Sequence, residues 1–567
     1  DLVLDEKLVV DMQKLLELTS KSSSRFIELK DGQFVALTDE FRKRLQELNR
    51  YSEKHGKGIR FHPLAALALE GLTTGAGSLK TDNAWKSHVK KIQTAMDFIP
   101  LLPSTLKAEL RDYQTEGFEW LSCLANWGVG ACLADDMGLG KTLQAMAMLL
   151  QYAPEGPSLV AAPTSVCMNW EVEAKRFAPT LNTIQFGSGN RKKILEEAGN
   201  FDVVICSYGL LQQAKASEML AQVPWQMVVL DEAQAIKNYF TKRSQAAMKL
   251  QAKFKLITTG TPIENHLGEL WNLFHFINPG LLSSLDNFNK TFALPIEKHH
   301  DRQARRHLQK LIKPFILRRR KNQVLEELPA RTEVVLTIEL SKKEMAFYEA
   351  LRQQAVEGLA GLQGNSGGKK YLKILAEIMK LRRACCNSML VDENIALPSS
   401  KLEVFGEVLH ELLANKHKAL VFSQFVGHLG LIRDYLNEHN IEYQYLDGST
   451  PVKQRKIAVD AFQAGKGDVF LISLKAGGLG LNLTAADYVI HMDPWWNPAV
   501  EDQASDRAHR IGQKRPVTIY RMVAKDTIEE KIVQMHSQKR DLADGLLKGT
   551  DVSSKISPDE LLKLIAN

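Results

Sequence analysis

The sequence predicts an α/β protein: two doubly wound lobes with helical protrusions, preceded by a small α+β N-terminal accessory domain. Three observations predict it. At 567 residues the chain is too long for one ordinary core, and about 150 residues per domain gives three to four domains. Short apolar runs alternate with helical stretches in two separate blocks, as buried parallel strands do. Between those blocks lies a helical, basic segment.

Taken in order, FIEL and FVAL flank KDGQ, and apolar alternation around Asp-Gly reads as a hairpin. Thr38 and Asp39 then suit caps for the amphipathic FRKRLQELNRY, so residues 1–100 form the accessory domain. The first block, residues 101–330, carries ACLA, SLVAAP, VVICSY, MVVLDE and KLITTG as strands. Residues 331–399 read as a helical linker; helices are expected around 308–320, at the end of the first block, and around 345–383, with a mobile loop at GLQGNSGGKK. The second block, residues 400–547, repeats the design with ALVFSQF, YQYLDG, VFLISL, YVIHMD and VTIYRMV, and 548–567 is a tail. In such sheets ligands bind beyond the carboxyl ends of the strands, so chemistry is sought in the loops that follow them.

Composition narrows the class. With 44% apolar and 25% charged residues, collagen-like, fibrous and wholly disordered chains are excluded. No apolar run approaches the ~18 residues of a membrane span, and DLVLDEKLVV lacks the basic flank of a signal peptide, which predicts a soluble intracellular protein with no membrane partner. A start at Asp1 suggests a fragment whose N-terminal neighbour is missing. The six cysteines show neither C-x-x-C nor zinc spacing, so no disulfide framework or structural metal site is expected, and Cys385 and Cys386 read as thiols in a reducing compartment. The net charge of +7 mildly suits a polyanion, and basic residues concentrate at Arg318–Lys321, Lys380–Arg383 and Arg191–Lys193.

The loop after ACLA, DDMGLGKT, opens a helix. Gly138 and Gly140 permit the tight backbone whose N–H groups surround a phosphate, Lys141 supplies charge, and the Thr142 hydroxyl suits magnesium. Asp135 stands where the general phosphate-loop pattern has glycine, so only the G-x-G-K-T core matches. MVVLDEAQ is an apolar strand ending in two acids, and adjacent buried carboxylates need a cation. Asp231 is the expected metal-side acid and Glu232 the group that activates water. Asn497 and Pro498 open a helix expected to run to Gly512, placing Gln503, Arg507 and Arg510 on one face as a cross-cleft arginine pair.

These segments together resemble the SWI/SNF-related ATPases of helicase superfamily two, from about Leu106 to Leu547. LRDYQTEGFEWL resembles the adenine-side Q motif, DDMGLGKTLQ motif I, APTSVCMNWEVEAKRF motif Ia, DEAQ motif II and TTGTPIENHLGELWNLFHFINPG motif III. VFSQF is similar to motif IV, SLKAGGLGLNLTAADYVIHMDPWWNP to motif V with its extension, and QASDRAHRIGQ to motif VI. The resemblance implies two RecA-like lobes, ATP and Mg2+, and an ATP-dependent motor that moves along double-stranded DNA. Gln114, Asp136, Met137, Gly138, Leu139, Gly140, Lys141, Thr142, Gly480 and Gln503 would bind ATP, with Thr142 and Asp231 on the metal. Thr164, Ser165, Lys237, Asn265, Ser423, Gln424, Thr450, Ser473, Lys475 and Trp496 would meet DNA phosphates without reading bases.

Trp495 and Trp496 suit packing of the loop before the arginine helix better than a base-stacking platform, and Thr527 with Glu530 suits a capping box on a brace helix. DEAQ replaces the commoner DEAH or DEGH, which alters the residue that couples hydrolysis to the other lobe. The short interlobe region resembles prokaryotic members, implying a monomeric motor in the cytoplasm, associated with the nucleoid; a nuclear location is the alternative. Nucleoprotein and RNA polymerase complexes are candidate targets. A strand-unwinding DNA or RNA helicase and a nucleotide-regulated scaffold are the competing readings, and a helicase-like restriction subunit is compatible with the motor.

Overall fold

The computed structural model describes residues 97–536 except 188, 264–265, 326–327, 361–366 and 478–480, with short N-terminal pieces and a few isolated positions. Among the N-terminal pieces, Phe26–Glu28 and Phe34–Ala36 pair antiparallel with Phe26 opposite Ala36, in line with the predicted hairpin. Arg42 N–H donates to the Thr38 carbonyl (2.9 Å), while Asp39 and most of the helix expected there lie outside the described residues.

The first lobe is a seven-stranded parallel sheet: β1 (Ala131–Leu133), β2 (Ser158–Ala162), β3 (Asn182–Gln185), β4 (Asp202–Ser207), β5 (Trp225–Asp231), β6 (Ala252–Thr258) and β7 (Ile316–Leu317). Its order is β7-β1-β6-β5-β2-β4-β3. The five apolar runs all form strands. The two edge strands were not legible: β3 is polar and partly exposed, and β7 is two residues long, too short to show a period. Helices α1 (Asp112–Trp127), α2 (Lys141–Tyr152) and α3 (Thr164–Phe177) precede or follow the first strands, and β1, β2, β5 and β6 lie in one apolar core with them.

The second lobe has six parallel strands: β8 (Arg331–Ile338), β9 (Ala419–Ser423), β10 (Tyr443–Leu446), β11 (Val469–Ser473), β12 (Tyr488–His491) and β13 (Val517–Ala524), ordered β8-β13-β12-β9-β11-β10. β8 corrects the reading of 331–399 as wholly helical. Its RTEVVLTI is rich in β-branched residues but largely exposed, because it pairs on one side only, in eight-residue register with β13.

Helices α4 (Lys342–Ala360) and α5 (Gly367–Cys386) form an antiparallel protrusion, and α5 begins inside the stretch expected to be a mobile loop. Tyr348, Ile374, Ile378 and Leu381 pack with Ile528 and Ile532, so the helix that opens at Ile528 fastens the protrusion to the second lobe. Its capping box is offset: Thr527 Oγ1 accepts from Glu529 N–H (3.2 Å), but the Glu530 carboxylate takes Asp526 N–H (3.1 Å). Helix α6 (Val426–Glu438) follows β9. Two of the basic clusters prove structural in part, since Arg319, Lys321 and Arg382 are buried.

Candidate active site

The loop between β1 and α2 takes the shape its glycines allow. Gly138 (φ 85°) and Gly140 (φ 76°) lie in the left-handed region, and α2 starts directly after Gly140. Lys141 Nζ donates to the carbonyls of Asp135 (2.6 Å) and Asp136 (3.2 Å). Asp135, the departure from the glycine pattern, is fully buried: Oδ2 meets Arg319 Nη2 at 2.6 Å, and Oδ1 accepts from Arg319 N–H and Nε at 3.0 and 3.1 Å. The Arg319 guanidinium also donates to the Tyr113 carbonyl and to Gln144 Oε1 (3.0 Å). The segment leaving the first lobe is thereby fastened to the glycine loop. Asp135→Ala would leave a buried guanidinium without its countercharge, and we expect a loss of about 3 kcal/mol, read as a lowered Tm.

Gln114 and Tyr113, at the start of α1, both reach this loop: Gln114 Nε2 and Tyr113 Oη donate to the Leu139 carbonyl at 3.1 Å each. Gln114 thus grips the loop backbone, and its Oε1 accepts Arg111 N–H (3.1 Å).

At the end of β5, Asp231 accepts from Trp170 Nε1 (2.8 Å), Thr258 Oγ1 (2.6 Å) and Glu232 N–H (3.0 Å). Three of a carboxylate's roughly four acceptor positions are filled, leaving one for a cation or its water. Glu232 adopts φ 50°, a strained conformation for a non-glycine residue, at the turn off the sheet. Burial, and then the adjacent Asp231 charge, push its carboxyl above the usual range, opposed by Lys141 and Arg507. The glutamine of DEAQ has a definite role: Gln234 Nε2 donates to Glu232 Oε2 (2.8 Å), and its Oε1 accepts from Thr259 Oγ1 (3.1 Å), linking motif II to motif III.

Across the cleft, helix α7 (Pro498–Ser505) is shorter than expected. Arg507 and Arg510 lie on turns after it, because the Arg507 carbonyl is taken by Leu483 N–H (3.0 Å) and the His509 carbonyl by Lys321 Nζ. Arg507 nevertheless faces Glu232, and Arg510 faces Glu173. Its Cβ also abuts Gly138, where an added Cβ would lie 2.9 Å away. Glu173 and Trp170, one helical turn apart on α3, were missed; their i, i+3 spacing in NWEVE was the available signal. Lys321 Nζ meets Asp506 at 2.7 Å, joining the lobes, and Arg331 at the start of β8 meets Asp502 and Asp506 at 3.0 and 3.2 Å within the second lobe. An interlobe cavity of about 770 Å³ is lined by Asp136, Met137, Thr261, Lys321, Gln503 and His509.

The residues assigned to DNA divide. Thr164 is exposed at the start of α3, whereas Ser423 and Ser473 are buried at the ends of β9 and β11. Ser423 Oγ donates to Asp493, and Gln424 Oε1 accepts from Arg382 Nη1 (3.1 Å), so these side chains brace the second lobe. Thr450 Oγ1 closes a turn on Asp447 (3.0 Å to its N–H), and Lys237 lies 3.7 Å from Glu269. Trp496 packs half-buried beside Arg382, its ring 5.5 Å from the guanidinium, which favours the packing role. Ser165 and Lys475 occupy the first turns after β2 and β11. Asn265 and Gly480 lie outside the described residues.

Two family models match this chain: the SNF2-related domain over residues 113–390 and the helicase conserved C-terminal domain over 400–512. YwqA of Bacillus subtilis is 37% identical over 576 residues, covering 96% of this chain and 61% of its own length. The human SWI/SNF-related matrix-associated actin-dependent regulator of chromatin subfamily A member 1 is 36% identical over 512 residues, 85% of this chain and 48% of that protein. Among solved structures, the Sulfolobus solfataricus SWI2/SNF2 ATPase core in complex with dsDNA is 37% identical, covering 80% of this chain and 96% of that one, with a TM-score of 0.42. The chain spans about half to three fifths of the length of the curated relatives it matches. The two models between them match residues 113–390 and 400–512, and the chain belongs to the SNF2-related, SWI/SNF family of ATPases.

Proposed function

We propose that the cleft between the lobes hydrolyses ATP and that hydrolysis drives movement along double-stranded DNA. One observation carries the reading. Arg507 is only 5% exposed, its Nε and Nη2 have no hydrogen-bond partner, and burial pushes its pKa down to about 10 against the attraction of Glu232. A buried guanidinium without hydrogen bonds is costly unless an anion completes it. The group opposite, a glycine loop at a helix N-terminus with Lys141, suits a triphosphate.

The residues present fit ATP with Mg2+. Thr142 and the open position on Asp231 would hold Mg2+, whose charge offsets that of the phosphate oxygens. Backbone N–H groups of 138–142 receive phosphate oxygens, and Lys141 exchanges its two carbonyl partners for one of them. Glu232 orients and deprotonates the attacking water, held in place by Gln234. Arg507 and Arg510 stabilise charge on the transferred group from the second lobe. Because both lobes grip one ligand, its hydrolysis weakens the closed arrangement, and lobe two shifts along the duplex.

Relatives support this reading: the Sulfolobus core was solved with dsDNA, and YwqA carries the provisional name ATP-dependent helicase/translocase. Displacement of a third strand from duplex DNA, with ATP, tests movement directly. Displacement is expected with ATP and absent without it; ATPase activity stimulated by RNA or single strands but not by duplex would instead indicate a strand-unwinding enzyme. Duplex affinity should be the same for unrelated sequences and fall with salt, log K against log salt having a slope of about −0.9 per phosphate contacted. Fluorescence anisotropy across a salt series measures it.

A further inference from the structure

Cys386, His428 and Asp493 come from three separate elements: the last residue of α5, the first turn of α6 and the loop after β12. One donor atom from each lies within 4.8 Å of the others, and all three residues are buried. None belongs to the nucleotide cleft. His428 is 1% exposed, yet neither Nδ1 nor Nε2 has a hydrogen-bond partner. Buried polar groups are nearly always satisfied, so an imidazole with both nitrogens idle beside a thiol and a carboxylate points to a ligand.

We propose that Cys386 Sγ, a ring nitrogen of His428 and a carboxylate oxygen of Asp493 form a zinc site joining the helical protrusion to the second lobe. Sulfur, nitrogen and oxygen donors together suit zinc, whose bonds of about 2.0–2.3 Å place ligands about 3.5 Å apart, so the side chains need close in by only about 1 Å. The surroundings already match such a site. The Ser423 hydroxyl and Gln424 N–H (3.3 Å) hold Asp493, as hydrogen bonds commonly orient ligating carboxylates. Arg382 lies 3.8 Å from Asp493, and Lys401 is paired with Glu529 at 2.6 Å, so the existing charges balance. Binding releases the Cys386 proton, and the thiolate offsets one of the ion's two charges, while Asp493 is shared between the ion and Arg382. Cysteine spacing could not show this, because the ligands are distant in sequence.

The full chain, produced in zinc-supplemented medium and dialysed against metal-free buffer, should hold about one zinc per chain by mass spectrometry. His428→Leu should hold almost none, and Cys385→Ser should match the wild type. Cobalt added during production should give a thiolate charge-transfer band, lost in Cys386→Ala, which also serves if His428→Leu does not fold. A wild-type chain with neither zinc nor a cobalt–thiolate band, or either signal unchanged in both variants, would overturn the proposal.

Discussion

Arg507→Ala is expected to lower ATP turnover about 10³-fold while leaving the folded protein at least as stable. The pairing of outcomes is what discriminates. Arg507 is desolvated, and two of its nitrogens are unbonded. Its removal therefore relieves a burial cost and breaks no ion pair within hydrogen-bonding distance. A structural arginine behaves oppositely: Arg319, held by Asp135, Gln144 and Tyr113, would lower the Tm on truncation. Turnover under saturating ATP and duplex DNA, with a thermal melt alongside, measures both. Wild-type turnover in Arg507→Ala would remove Arg507 from the chemistry.

Glu232→Gln should reduce hydrolysis by about 10²–10⁴-fold with ATP binding retained, because the amide keeps the shape of the side chain and cannot accept a proton. Lost nucleotide binding would instead mark Glu232 as structural. Its pH behaviour has a definite sign. Burial and Asp231 raise the carboxyl's pKa in the folded protein. The carboxylate form that works as base is thus lost as pH falls through a value above the ordinary carboxyl range, and the acid limb of kcat should sit correspondingly high. The same shift means that ionisation of Glu232 costs folding stability above the unfolded carboxyl pKa. Glu232→Gln should therefore melt slightly higher than wild type at neutral pH, and the two variants of the cleft should both trade activity for stability.

Much of this was legible in the chain. Ten apolar runs gave ten strands in two parallel sheets, nine of them inside a sheet and β10 at an edge, since period and β-branched content suffice where the faces are covered. β3, β7 and β8 escaped, being polar, too short or paired on one side, so their strand character depends on a neighbour that local sequence cannot name. The turn at Gly138 and Gly140 and the strand ending at Asp231 were likewise readable, because glycines and an apolar run bounded by acids are consecutive there. The arginine helix was overextended, since carbonyls of residues 507 and 509 are captured by Leu483 and Lys321.

The sequence by itself determined the class of fold, the order of the two lobes and the glycine turn that opens the first lobe's helix, all of which rest on contiguous residues and short periods. Only the tertiary structure decided that Asp135 is the counterion of Arg319, that Gln234 bridges Glu232 to Thr259, and that Arg507 lies buried and unbonded against the opposite lobe. It likewise turned Ser423 and Gln424 inward and gathered Cys386, His428 and Asp493. The physical reason is common to these cases: a side chain's charge state and partners are set by burial and by groups far away along the chain, and neither quantity is a property of a local run of residues.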